Sequence, residues 1–516
     1  MMQHIKPEKF VAAQSFQGRA IVIGSGFGGI ASALRLRALG YDVTLLERLS
    51  CLGGRAQVFE KQGFRHDAGP TVITAPFLFD ELFELFGEKR EDHAEFVSVD
   101  PWYRFYFADG RSFDYGEDME AFKAEMAKFN PDDAQRYDDL LAESKAIFDV
   151  GFEKLADEPF QSFTSMIKQA PALLRLRSDR SVARFVGRHI KDEMLHRALT
   201  IQPLLVGGNP FSTTSIYALI HYLERKWGVY FCMGGTGALV KALEELMLRQ
   251  DIHIVKNADV EEICLDGRFA HSVRLTDGQV IKADMVVCNA DPPTVYEEML
   301  PQRPKLAMPG RPMPDSLTQY SMGLFVLYFG TKRQYPDVAH HTIWMGERYQ
   351  EHLADIFDRK ILTEDFSLYL HRPTATDPSF APKECDSFYV LCPVPNMQAD
   401  IDWQIEGEKL RDRIVKALGE TILPDLEETI TADFWMDPTD FRNQYRSKHG
   451  AGFSISPLFR QSAWFRYKNR DPHIHNLFFV GAGTHPGAGM PGVLTSAKVL
   501  ENLIKREGVQ IPELAI

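Results

Sequence analysis

An α/β fold is predicted by three features of the sequence. The first is an apolar run of strand length, Ala20-Ile21-Val22-Ile23, followed by Gly24-Ser25-Gly26-Phe27-Gly28-Gly29 and a helix-like stretch, Ile30 to Leu39, that stops at Gly40. The second is another strand, Tyr41 to Leu46, that ends on the acid Glu47. The third stands near the opposite end of the 516 residues. There Leu477-Phe478-Phe479-Val480 enters a second glycine loop, Gly481-Ala482-Gly483-Thr484, which continues as His485-Pro486-Gly487-Ala488-Gly489-Met490-Pro491-Gly492. Strand, glycine loop, helix, strand and acid in this order specify a Rossmann-like dinucleotide site.

Each part has a physical role. Gly24 allows the tight turn out of the strand, Gly26 lets backbone approach a pyrophosphate, and Gly29 permits close packing of helix on strand. The helix N-terminus offers amide donors and positive dipole to the phosphates. Glu47 falls where a ribose 2′-OH is held, and its charge repels a 2′-phosphate. Cys51-Leu52-Gly53-Gly54-Arg55 then places two more glycines and a planar cation toward the same group. A nicotinamide needs only the first loop. Two ends of a chain that return to one cofactor suit the longer FAD.

Composition bounds the rest. The chain has room for two or three domains, 45% hydrophobic and 25% charged residues, and a net charge of −13 that disfavours nucleic acid as partner. Six cysteines (51, 232, 264, 288, 385 and 392) show no C-x-x-C pair, so they read as buried thiols of a reducing compartment and no metal site is expected. No apolar run approaches the ~18 residues of a spanning helix, and the N-terminus lacks a secretory h-region. Residues 166–191 stand apart. Lys168, Arg175, Arg177, Arg180, Arg184, Arg188 and Lys191 alternate with Met166, Ile167, Leu173, Leu174, Leu176, Val182, Phe185, Val186 and Ile190 against one acid, Asp179. Such a segment predicts contact with an anionic membrane surface, although Pro171 and Gly187 interrupt it.

The expected organisation is an FAD-binding domain from residues 18–95, 230–300 and 475–516. A mixed-sheet substrate domain takes 96–129 and 301–474, and a helical, membrane-associating region takes 130–229. An aromatic hairpin is expected over 102–115. Further strands are expected at Ile252–Val255, Val260–Leu265, Met285–Cys288, Leu324–Phe329, Phe366–Leu370 and Phe388–Leu391, with helices at Ala238–Leu248 and Leu494–Lys505.

Several stretches together resemble the bacterial-type phytoene desaturases, FAD-dependent carotenoid desaturases of the wider amine-oxidase-like flavoprotein group. They are Val22 to Gly29, Gly53-Gly54-Arg55-Ala56, Phe64 to Thr74, Leu204-Leu205-Val206-Gly207-Gly208-Asn209-Pro210-Phe211, more loosely Asp365 to His371, then Gln461 to Arg466 and Val480 to Val493. The resemblance spans Ala20 to about Lys505. It implies that Val260 holds the adenine through backbone groups and that Met490 lies against the flavin. Many flavoproteins of this group place an acid after the last strand for the ribityl chain. Here that place reads Gly481-Ala482-Gly483-Thr484, which leaves backbone amides or the Thr484 hydroxyl. The implied reaction is stepwise desaturation of phytoene toward lycopene or neurosporene, with oxygen or a quinone as electron acceptor and a cytoplasmic site on the inner face of the cell membrane. An allylic C–H is too weak an acid for a side-chain base, so hydride transfer to flavin followed by proton loss is the expected route. His485 is the candidate for the proton, and Trp464, Phe465 and Tyr467 are candidates for a polyene tunnel. An amine oxidase of a soluble substrate and a non-catalytic prenyl-lipid-binding protein are the alternatives.

Overall fold

The computed structural model describes residues 16–160, 179–301 and 315–509. A five-stranded sheet, wholly parallel, runs in the order Leu477–Phe479, Met285–Cys288, Arg19–Ile23, Asp42–Leu46, His253–Val255. The middle strand is apolar from Ala20 to Ile23, and its neighbour Met285–Cys288 along its whole length, because both faces are covered there. Ala20, Val22 and Val287 point into a core shared with Leu34 of the helix Phe27–Ala38, Leu243 of the helix Gly235–Arg249 and Leu500 of the helix Met490–Glu507. Their neighbours Ile21, Ile23 and Val286 point the other way, into a core closed by Val273 and Ala270 of the three-stranded sheet Val260–Asp266, Phe269–Leu275, Val280–Lys282. Arg35 ties the first helix to two others, through Glu501 at 2.6 Å and Glu81 at 2.8 Å.

A second sheet of seven strands stands beside it, in the order Ile430–Met436, Gly323–Thr331, Asp386–Val394, Leu368–His371, His341–Trp344, Tyr103–Tyr106, Ser112–Tyr115. It is antiparallel except where His341–Trp344 meets Tyr103–Tyr106. The aromatic hairpin expected near 102–115 is therefore one edge of this sheet. Phe325, Leu327 and Phe329 face the helix Trp403–Gly419 through Leu410, Ile414 and Leu418. Leu324, Val326 and Tyr328 face the opposite way, toward the helices Pro131–Gly151 and Leu219–Trp227.

Two expectations need correction. In the basic segment, Met166 to Arg177 lie outside the described residues. In the part that is described, Val182, Phe185, Val186 and Ile190 are buried in the protein's own core, so they offer no apolar face to a bilayer. Arg188 there is paired with Glu143 by two hydrogen bonds of 2.8 and 3.0 Å, while Arg180 and Arg184 are exposed. The cysteines are all free, but Cys51 is exposed and Cys264 and Cys385 are half-buried, so only Cys232, Cys288 and Cys392 are the buried thiols expected.

The tightest packing in the parallel sheet is at Gly29, where a Cβ would stand 2.0 Å from the Gly24 carbonyl and 3.2 Å from Asn289 Cβ. Backbone on one side leaves no room to yield. Gly29→Ala is expected to destabilise the protein by about 3 kcal/mol or more, read by chemical denaturation, because the methyl overpacks a fixed turn. A loss below about 1 kcal/mol would show that this turn is not the constraint described here.

Candidate functional site

The two glycine loops meet at the carboxyl ends of the parallel strands, where ligands of open α/β sheets bind. Asn289, directly after the strand Met285–Cys288, is the wedge between them. A Cβ on Gly26 would meet its Nδ2 at 2.9 Å, and Cβ atoms on Gly28 or Gly481 would meet its Oδ1 at 2.6 Å. Gly24 adopts φ +89°, and its amide donates to the Leu46 carbonyl at 2.8 Å. Gly54, at φ +57°, faces Gly26, and a Cβ there would stand 3.4 Å from Gly26 Cα.

Around this junction opens a cavity with two unlike arms. Gly24 to Gly28, Glu47, Gly53 to Ala56, Ala258 to Val260, Asn289 to Asp291 and Gly481 to Gly483 line the first. The second is apolar, walled by Ile201, Leu204, Leu223, Ile343, Leu368 and Leu391, and the same cavity reaches His485 and Met490. The 130–229 region thus forms part of the cavity wall.

The polar arm fits a flavin dinucleotide. The helix Phe27–Ala38 has no side-chain cap at Gly26 and no acid in its first turn, which leaves its amides for an anion. Apart from Asn289 Nδ2, nothing stands within 4 Å of where a Gly26 side chain would be, so that backbone faces the open cradle. Glu47 is fixed by Ser25, whose amide and hydroxyl donate to Oε2 at 2.9 and 2.6 Å, and by the Leu49 amide on Oε1 at 2.8 Å. Arg55 donates to Ser447 Oγ, and burial lowers its pKa against the opposing pull of Asp291. Val260 is at the wall, with its carbonyl occupied by Arg446 Nη1 at 3.0 Å. Gly483 packs on Pro292, which a Cβ would approach to 2.4 Å, and Met490 opens the last helix at the cavity wall.

Thr484 is placed differently from the expectation. Its hydroxyl donates to the Gly481 carbonyl at 2.9 Å within its own turn, it is fully buried, and it does not line the cavity. The acid at this edge of the cavity is Asp291, which accepts from Ser454 Oγ at 2.5 Å and from the Lys448 amide at 2.9 Å while burial raises its pKa. Trp464, Phe465 and Tyr467 do not line the cavity either. Tyr467 stacks on Tyr296 at 5.9 Å, and the tunnel walls are aliphatic and aromatic residues of other segments, Phe152, Tyr217 and Tyr389 among them. Sequence reasoning missed Asn289, Asp291 and Arg446; the run Asn289-Ala290-Asp291-Pro292 after a strand end was the available signal for two of them. Asp67 also has a defined task. It accepts from the Thr236 amide and hydroxyl, both at 2.9 Å, and clasps its loop to the helix Gly235–Arg249.

His485 is at the cavity wall with its ring against Phe160 at 4.8 Å. Its Nε2 meets the Leu155 carbonyl at 3.0 Å, which fixes the proton on Nε2 and leaves Nδ1 as an acceptor without a partner. Burial pushes its pKa down to about 4, so the ring is neutral at neutral pH. Glu224, also at the wall, takes a hydrogen bond from the Tyr103 hydroxyl at 3.0 Å, and burial pushes its pKa up to about 7.

The profile of the family described as flavin containing amine oxidoreductase matches residues 27–499. A phytoene desaturase (lycopene-forming) of Pseudescherichia vulneris is 46% identical over 94% of this chain and 99% of its own. The chain belongs to the bacterial phytoene desaturase family. A phytoene desaturase (neurosporene-forming) of Rhodobacter capsulatus is 41% identical over 94% of each chain. Among solved structures, cyclohexylamine oxidase from Brevibacterium oxydans superposes with a TM-score of 0.59 at 15% identity, covering 95% of this chain and 100% of that one, which shows a shared fold. As a member of this desaturase family the protein is an FAD oxidoreductase acting on CH–CH bonds.

Gly26→Val is expected to weaken FAD binding at least about tenfold, because the added side chain occupies the pyrophosphate approach. The ratio of flavin to protein absorbance measures it, with circular dichroism as the check on folding. A folded variant that keeps its full flavin content would place the cofactor elsewhere.

Proposed function

We propose that this protein desaturates phytoene, a C40 polyene, stepwise toward lycopene or neurosporene. The observation that carries the proposal is the joining of a dinucleotide cradle and an aliphatic arm in one cavity. When bound, FAD supplies the hydride-accepting chemistry that no side chain has. The protein's residues position and exclude. Segments 18–95, 230–300 and 475–516 hold the cofactor. Segments 96–129 and 301–474, with the helical region, shape the apolar arm and keep water from the cation that hydride loss leaves on the polyene. That cation makes the neighbouring C–H strongly acidic, so a base as weak as neutral His485 suffices, and we assign proton acceptance to this wall residue, whose Nδ1 has no hydrogen-bond partner.

A substrate this apolar resides in membrane, and we place the protein on the inner face of the cell membrane as a peripheral enzyme with oxygen or a quinone as acceptor. Among the described residues no helix is long and apolar enough to cross a bilayer. Arg175, Arg177, Arg180 and Arg184 would supply the attraction, about 1 kcal/mol each near an anionic surface. Changing Arg175, Arg177, Arg180 and Arg184 together to Glu is expected to abolish most sedimentation with anionic liposomes; unchanged sedimentation would refute this surface.

Anaerobic mixing with phytoene in liposomes is expected to bleach the oxidised flavin band with no nicotinamide present. His485→Ala is expected to slow turnover about 100-fold while leaving FAD bound. Normal turnover would make His485 a packing residue. Bleaching by a soluble amine but not by phytoene would replace the proposal with amine oxidation.

A further inference from the structure

Each desaturation releases a hydride and a proton from the substrate, and the proton is set free in a cavity whose apolar arm repels charge. His485 has no onward partner, because its second nitrogen faces the Leu155 carbonyl. A proton taken up inside, at His485 or at a wall hydroxyl directly, must leave before several further steps can follow.

One stretch of the cavity wall is polar, and it leads outward. Thr71, Tyr369 and Tyr389 line the cavity, with Thr71 Oγ1 2.8 Å from the Tyr389 hydroxyl and 3.2 Å from that of Tyr369. The Tyr369 hydroxyl lies 2.8 Å from His341 Nδ1. His341 and His371 face each other across paired strands and stack at 5.4 Å, and His371 Nε2 lies 3.1 Å from His340 Nε2. His340 Nδ1 then meets Thr376 Oγ1 at 2.6 Å, and Thr376 is half-exposed. A single interval in this chain is not hydrogen-bonded. His341 Nε2 and His371 Nδ1, both buried, have no partner, and their rings stack with centroids 5.4 Å apart, so transfer across this interval needs a water admitted between them as the rings move.

We propose that Tyr369, His341, His371, His340 and Thr376 form a proton exit path from the substrate cavity to the surface. Two mirror-image sets of tautomers satisfy every contact, and outward transfer starts from the following one. His341 and His371 carry their protons on Nε2 and accept on Nδ1, while His340 accepts on Nε2 and donates from Nδ1 to Thr376. Every ring then accepts on its inner nitrogen and donates from its outer one. A proton arriving at the Tyr369 oxygen displaces the hydroxyl proton onto His341 Nδ1, the Nε2 proton passes to His371, and so to Thr376 and solvent. No bond to carbon changes and no electrons move. Burial holds all three imidazoles well below their ordinary pKa, which keeps them neutral at rest and disfavours a charge lodging on any one ring. The same three histidines are the one candidate metal cluster among the described residues. Tetrahedral zinc, with Zn–N of about 2.1 Å, needs its ligand nitrogens about 3.4 Å apart and a fourth donor. The observed spread of up to 4.8 Å suits a chain better.

This inference rests on the desaturase reading, and the experiment separates the two. Nitrogen-15 resonances of histidine-labelled resting protein should show three neutral rings with the tautomers given above; the opposite tautomers, or a charged ring, would overturn the path whatever the substrate. In holoprotein with phytoene, Tyr369→Phe, His371→Leu and the mild Thr376→Val should leave the first anaerobic bleaching of flavin within about twofold and slow continuous desaturation about tenfold or more. Folded variants that desaturate at the normal rate would overturn the path. Failure of phytoene to bleach the wild-type flavin would instead refute the desaturase reading. A stoichiometric divalent metal in purified protein, lost in His371→Leu, would make the cluster a metal site.

Discussion

The close approach of three backbone segments around Asn289 is the constraint on which the rest depends. Strand ends at Ile23, Cys288 and Phe479 stand side by side in one parallel sheet, and the loops leaving the first and third converge on the residue that follows the second. Gly26, Gly28 and Gly481 all lack the Cβ that would strike the Asn289 amide, and Gly29 lacks the one that would strike Gly24. The helix Phe27–Ala38 can then seat its N-terminus at the sheet edge with its amides open. A site made this way from residues 24 and 481 exists only in the folded chain, which ties cofactor binding to tertiary structure.

From that junction the cavity runs in two chemical directions. One is backbone, with Glu47, Arg55 and Asp291 at its edges, and suits a charged dinucleotide. The other is largely apolar, aliphatic and aromatic, and suits a hydrocarbon. Charged side chains near the apolar arm are few and perturbed: Glu224 is raised to about 7 and His485 lowered to about 4 by the same desolvation. The proposed carbocationic reaction would need this arrangement, since strong bases or water beside the polyene would divert it.

The glycine loops, Glu47 and Arg55 were legible in the sequence because their signal is local: a turn or a close approach demands glycine in a fixed order. The apolar arm was not. Leu204, Leu223, Ile343 and Leu391 come from distant segments, and nothing in their spacing marks them as wall rather than core. Aromatic residues close in sequence to the last loop, Trp464 to Tyr467, were a misleading guide, because Tyr467 packs on Tyr296 while Trp464 packs on Phe465 and Lys468. Thr484 failed for a related reason, as its hydroxyl closes its own turn. The amphipathic run Val182 to Ile190 carries a real apolar face, and the described core covers it. His341 and His371 meet through strand pairing, 30 positions apart, which no periodicity reveals.

The most direct measurement is a crystal structure of the FAD-bound protein with a C40 polyene. The account predicts the pyrophosphate between Gly26 and Gly54, and the polyene lying along Leu204, Leu223, Ile343 and Leu391 in the cavity that Met490 also lines. A polyene bound on the outer surface, or a cofactor whose phosphates lie away from the Phe27–Ala38 helix N-terminus, would contradict it.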